Sequence, residues 1–219
     1  MGYLIESESQ KRLAAVRELL QVQNLDLALI YYDEFNIGNG WYLTGWCPQF
    51  ESGAVLVPRQ GTPMLLGGPE SEPFAKLDSA ITETRNFPVF MVPDEEYPAA
   101  VIMDFPALFA ELNRTLGKVK RIGLVGGDRM PVGCYKGIVD GFVGVEIVDI
   151  TEPYLHFRYQ KSSWEIEQIR AAFALADHSY EAMKAKIAVG TTEIQVAAAS
   201  EYAARSRGAS GFGFTAIVG

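Results

Sequence analysis

The sequence predicts an α/β layered domain followed by a nearly all-helical segment. Three observations carry this expectation. Short apolar runs of strand length alternate with helical patterns through the first two thirds of the chain. The pattern changes across residues 149–156, and beyond it apolar residues recur at spacings of three and four. Strands separated by helices imply a largely buried sheet with helices layered on it.

Leu13, Val16 and Leu20 fall on one helical face, and residues 27–32 follow as an apolar strand-like run. The runs 54–57 and 64–66 flank a turn built from Pro58, Gly61 and Pro63, which reads as a β-hairpin or two adjacent strands. Residues 87–92 read as a further strand. Asp104 is placed to cap a helix carrying Leu108, Phe109, Leu112 and Leu116, with Pro106 tolerable in its first turn. Residues 121–125 and 143–148 complete the strands.

Residues 149–154 read as a turn. Ser162 and Glu165 then have the spacing of a capping box. Ile166, Ile169, Phe173, Ala176, Tyr180, Met183 and Ile187 form one apolar stripe ended by Gly190, and Ala172 and Leu175 widen it. A long helix packed on a sheet fits that face better than a coiled coil. Thr191 is expected to cap a second helix, with Glu193 at the positive end of its dipole and Gly208 past its end. Residues 212–218 look like the start of a strand. The chain therefore reads as one domain, 1–153, and the opening of a second, 154–219.

Composition excludes several function classes. The 219 residues carry 19 Lys+Arg against 27 Asp+Glu, a net charge of −8. An acidic chain without a basic stripe repels a phosphate backbone, so nucleic acid and anionic membrane surfaces are not expected partners. No apolar run reaches the roughly 18 residues of a membrane span, and no signal peptide is evident at the start. Cys47 and Cys134 are too few for a disulfide scaffold and form no C-x-x-C pair. A cytoplasmic protein with two buried thiols is the expectation.

Catalytic patterns are absent from the sequence. The glycines at 123, 126 and 127 do not match a dinucleotide or P-loop fingerprint, and they read as a strand ending in a turn. The stretch around Ser210 lacks the last glycine of a nucleophile elbow, with Phe212 in its place, and no His follows His178. His178 reads as a solvated helix residue and His156 as a locally hydrogen-bonded turn residue. A dinuclear site needs several carboxylates and a histidine converging on two cations. No catalytic or metal-ligating residue is expected in this chain. What remains is the aromatic, Gly/Asn-rich segment 36–46, expected to be a loop-strand element. Its Trp41, Tyr42 and Trp46 are the candidates for a substrate-facing or subunit surface; the alternative is that they simply pack on the sheet.

Three stretches together resemble the creatinase/prolidase/aminopeptidase P family. Residues 25–30 with Asn36, Ile37 and the run Trp41-Tyr42-Leu43-Thr44-Gly45 look like that family's N-terminal domain. Phe157, Arg158, Lys161, Ser162, Glu165, Ile169 and Arg170 are similar to its entry into the catalytic domain. Residues 190–193, Gly208-Ala209 and residues 214–219 resemble the next helix and first catalytic-domain strand. The resemblance implies a three-layer N-terminal domain with a mixed sheet, followed by the first two helices and first strand of a truncated α+β pita-bread domain. It implies homodimers whose N-terminal domain helps cover a neighbouring active site. It also implies Xaa-Pro peptide hydrolysis by two divalent cations, manganese or cobalt, whose two Asp, one His and two Glu ligands would all lie beyond Gly219. A creatinase-like C–N hydrolase and a non-catalytic pita-bread binding module are the alternatives.

Overall fold

Strand β1 (Leu27–Tyr32) is buried along its whole length and sets the architecture. Successive side chains of a strand point to opposite faces. Leu27, Leu29 and Tyr31 therefore enter one apolar cluster, and Ala28, Ile30 and Tyr32 enter another. The structure, a computed structural model, describes residues 4–48, 51–92, 97–214 and 216–218. It divides into two compact units, Met1–Gln160 and Lys161–Gly219.

In unit 1, β2 (Gly53–Pro58) lies antiparallel to β1, with Leu29 opposite Leu56, and β3 (Met64–Gly67) lies antiparallel to β2. β4 (Thr84–Asn86) runs parallel to β3, β5 (Arg121–Val125) parallel to β1, and β6 (Glu146–Asp149) parallel to β5. The mixed sheet has the order β4-β3-β2-β1-β5-β6. Helices α1 (Glu6–Val22), α2 (Ile37–Thr44), α3 (Glu72–Asp78) and α6 (Thr151–His156) supply Leu13, Val16, Leu20, Leu43, Ala75 and Tyr154 to one face. Helices α4 (Phe105–Leu116) and α5 (Val132–Gly141) supply Leu108, Leu112, Cys134 and Ile138 to the other. Three layers result, as expected.

The predicted cap on α4 is present: Asp104 Oδ1 accepts from the Ala107 N–H at 2.8 Å. The hairpin turn is held by Arg17 of α1, which donates to the carbonyls of Pro58 at 3.4 Å and Gly61 at 2.6 Å. Among the glycines at 123–127, Gly126 turns the chain with a φ of 78° and donates to Thr151 Oγ1 at 3.0 Å.

Several local expectations are corrected. Residues 87–92 do not form a strand: pairing ends at Asn86 and a 3-10 turn spans Pro88–Phe90. Pro88 has no N–H to give a ladder, and Phe87 and Phe90 turn into the core against Phe105, with Phe87 and Phe105 centroids 4.9 Å apart. The last strand begins only at Glu146, after Gly144 turns at a φ of 75°. Residues 151–156 are helical rather than a turn, since Pro153 sits in the first turn, where backbone N–H groups have no helical partner. That helix and the residues to Gln160 belong to unit 1, seven residues past the expected boundary.

Unit 2 consists of α7 (Ser163–Lys186) and α8 (Glu193–Arg205) with their flanks. The capping box on α7 forms as expected, Ser162 and Glu165 bonding reciprocally at 2.8 and 3.1 Å. On α8 the cap is Thr192 rather than Thr191, in a second capping box with Gln195. The two helices meet where Ser179 Oγ donates to the Ser200 carbonyl at 2.8 Å. Ile169, Phe173, Tyr180 and Ile187 of the stripe remain exposed. The expected strand at 212–218 is not formed among the described residues, and Thr215 and Gly219 lie outside them. A strand needs a pairing partner, and the described part of unit 2 holds none.

Candidate functional site

The segment expected as a loop-strand element is the helix α2. It starts from a turn organised by Asp33, the residue after β1. Asp33 Oδ1 accepts from the N–H groups of Phe35 and Asn36, both at 2.9 Å, and its Oδ2 accepts from the Tyr31 hydroxyl at 3.2 Å. Burial first, and then the Asp33 carboxylate, push the Tyr31 phenol up to about 12, so it stays a donor. The helix ends at Gly45, whose φ of 65° is left-handed and whose N–H bonds to the Trp41 carbonyl at 2.8 Å.

Two interior glycines make this helix unexpected, since each costs about 1 kcal/mol against Ala. Close approach explains both. A Cβ on Gly40 would stand 2.5 Å from the Tyr32 ring, and one on Gly38 would collide with the Arg158 guanidinium. The bare backbone lets α2 settle on β1 and lets an arginine lie across it.

Side chains distant in sequence then clamp the helix. Asn39 is buried; its Nδ2 donates to the Tyr31 carbonyl at 3.2 Å, and its Oδ1 accepts from Arg158 at 3.2 Å. The Tyr154 hydroxyl, fully buried on α6, donates to the Asn39 carbonyl at 2.6 Å. Burial raises the Tyr154 phenol far above its ordinary range, which keeps that donor protonated. From α1, Arg12 lays its guanidinium 4.4 Å from the centre of the Tyr42 ring and donates to the Tyr42 carbonyl at 2.7 Å. Glu8 pairs with Arg12 at 3.5 Å. A buried cation is tolerable only with such partners: a carboxylate, a carbonyl and a ring face.

The three sequence candidates separate in space. Trp41 is 42% exposed and shares one helix face with Ile37, four residues before it; Phe35, 81% exposed, precedes them. Tyr42 is half-buried, with its hydroxyl donating to the Phe157 carbonyl at 3.3 Å and its ring edge-on to Tyr154 at 6.1 Å. Trp46 is half-buried against the second core cluster, beside a small cleft lined by Tyr32, Glu72, Thr84 and Asn86. Neither ring is sealed inside the unit.

Asn39, Arg12 and Tyr154 were not singled out from the sequence. Nothing local marks them, because each acts through a contact between separate elements; only Arg158 lies in a stretch that resembles the family. His156 Nε2 lies 3.2 Å from Glu152 Oε1, one turn before it on α6. His178 is exposed. Cys47 and Cys134 are unpaired; burial pushes both thiols up to about 12, which leaves them protonated and poorly nucleophilic. Among the described residues no three His, Cys, Asp or Glu side chains could hold a metal ion, and no helix is long and apolar enough to cross a membrane. Phe35 and the α2 residues Ile37 and Trp41 are exposed apolar side chains.

Comparison with known proteins places this arrangement. The Creatinase/Prolidase N-terminal domain family matches residues 12–160, which include the whole sheet, α2 and its clamp. No curated protein sequence matches. Among solved structures, an X-Pro aminopeptidase from Thermotoga maritima is 23% identical, with a TM-score of 0.73 over 92% of this chain and 51% of that one. A prolidase from Pyrococcus horikoshii is 21% identical, with a TM-score of 0.67 over 91% and 50%, respectively. The prolidase from Pyrococcus furiosus is 20% identical, with a TM-score of 0.66 over 90% and 54%. Likeness at these identities establishes the fold, and the chain spans about half the length of each structure. With two thirds of its residues matched by the family and the same fold in these relatives, the chain belongs to the creatinase/prolidase N-terminal domain family.

Proposed function

We propose that this chain is the N-terminal part of a metal-dependent Xaa-Pro peptidase of the aminopeptidase P/prolidase type, with the exposed face of α2 dimerising and covering a neighbouring subunit's peptide site. The observation that carries the reading is the clamped aromatic helix inside a matched Creatinase/Prolidase N-terminal domain. Considerable packing is devoted to fixing α2, yet Phe35, Ile37 and Trp41 are turned outward. Apolar side chains presented to solvent from a backbone already fixed by packing suit recognition, because little backbone entropy remains to be lost on contact.

The chemistry would be metal-assisted hydrolysis by two divalent cations, manganese or cobalt, polarising the peptide carbonyl. The described residues of this chain do not fit that role, since no ligand set converges among them; no step of the reaction is routed through them. Trp41, and less directly Tyr42 and Trp46, would contact peptide or partner. The unpaired thiols suit a cytoplasmic setting.

The test is direct. The purified chain, loaded with manganese or cobalt, is assayed on Xaa-Pro dipeptides, and its mass in solution is measured by sedimentation. A dimer without chelator-sensitive turnover is expected. Robust EDTA-sensitive cleavage by this chain alone, or a strict monomer at high micromolar concentration, would overturn the reading.

A further inference from the structure

Outside the α2 cluster, the group with the least obvious purpose is Glu51. It precedes β2 and is only 6% exposed. Its Oε2 accepts from the Ser71 N–H at 3.2 Å, at the turn that opens α3. Among the described residues its Oε1 has no hydrogen-bond partner. That oxygen lies against Gly68, where a Cβ would collide with it, so a bare backbone makes the carboxyl position possible. Ser71 Oγ donates to the Gly68 carbonyl at 3.1 Å and keeps the turn closed around the acid. A buried acceptor left without a partner costs about 1–3 kcal/mol, more when charged.

Among the described residues, the groups that act most strongly on this acid include no cation. They are Ser71 and the exposed Glu70, whose backbone also bonds to it, with the Tyr32 hydroxyl from β1 nearby; Asp33 and Glu34 line a pocket with it, and Cys47, from the segment after α2, acts on Tyr32 in turn. Burial pushes the Tyr32 phenol well up and the Cys47 thiol up to about 12, so neither charges near neutrality.

We infer that Glu51 is a proton-operated latch, which in its neutral form holds the start of β2 onto the turn before α3 and loosens that junction when it ionises. The sign follows from linkage. Burial raises the Glu51 carboxyl above its ordinary 4.5, so the folded state holds a proton that the unfolded chain has released. The latch is closed below the ordinary value and opens as pH rises through the raised one. The inference stands apart from the proposed peptidase role, because it concerns only the junction around Glu51.

The experiment is a carbon-detected NMR titration of the Glu51 carboxyl in the whole chain, with hydrogen exchange of the Ser71 amide from pH 4 to 8, corrected for intrinsic rates. A midpoint above 4.5 is expected. Ser71 protection should fall about tenfold for each unit of displacement. Glu51→Gln, which keeps an acceptor and cannot ionise, should show flat protection. Gly68→Ala should evict the carboxyl and return its midpoint to the ordinary range. A wild-type midpoint at or below 4.5 overturns the latch whether or not the variants fold. An equal loss of protection in Glu51→Gln also overturns it.

Discussion

Replacing Gly40 by alanine sets two physical effects against each other, and their sizes decide the sign. Helix propensity alone favours Gly40→Ala by about 1 kcal/mol. Packing opposes it: the added Cβ would stand 2.5 Å from Tyr32 Cδ1, 2.7 Å from Cγ and 2.9 Å from Cε1. That ring is buried and cannot swing into solvent. Overpacking costs about 1–3 kcal/mol, and overlap this close against a buried ring puts it near the top of that range, about 2–3 kcal/mol; moving α2 away to relieve it would also stretch the bonds from Asn39 and Tyr154. The net expectation is a loss of about 1–2 kcal/mol, which for a unit of this size lowers its melting point by roughly 2–8 °C. Gly133→Ala in α5 is the matched control, since nothing lies within 4 Å of its Cβ position. It should gain about 0.5 kcal/mol. Urea unfolding followed by aromatic fluorescence measures both variants. A Gly40→Ala protein as stable as the parent would refute the claim that close contact with Tyr32, and not chance, placed glycine inside this helix.

Three further outcomes are expected. Tyr154→Phe removes the buried bond to the Asn39 carbonyl and should cost about 1 kcal/mol in the same urea experiment, with faster amide exchange confined to α2. Burial alone would raise the Glu72 carboxyl, but donors from Asn86, Lys76 and Thr84 outweigh it and hold the acid down at about 2. The stability it contributes is present above the ordinary carboxylate range and is lost as pH falls towards 2; acid unfolding should be less steep in Glu72→Gln. Trp41→Ala should change urea stability by less than about 0.5 kcal/mol, because the ring is half exposed, while weakening self-association in sedimentation; an unchanged dimer would count against the α2 surface.

Much of the fold is legible in the sequence because it depends on local periodicity. β1, β2, β3 and β5 are apolar runs in a sheet buried on both faces, and α4 has an acidic cap and a clear stripe. The short helices are different. α3 spans seven residues and α5 holds Gly133, Gly137 and Gly141, so neither shows a decisive pattern. Gly141 is explained only by the neighbouring helix α4, where a Cβ would collide with Phe105. The residues at 87–92 mislead for a related reason: their apolar content is real, but it serves core packing through a proline turn rather than a ladder.

The candidate site was legible in its residues and not in its form. Gly38, Asn39 and Gly40 read as loop residues because propensity counts only what a residue does to its own backbone. Here each is selected by an atom outside the helix: Gly40 by the Tyr32 ring, Gly38 by Arg158, and Asn39 by Arg158 together with the Tyr31 carbonyl. The same fact bears on how the aromatic face works. A helix with two interior glycines would not hold by itself in water, so the direction of Ile37 and Trp41 is set by the clamp. Changes at Tyr154 or Arg158, more than a hundred residues along the chain, should therefore alter what α2 presents before they alter the sheet. In such a design the exposed aromatic face and the packing that orients it are separable by mutation, although only the face can be recognised from a run of aromatic residues.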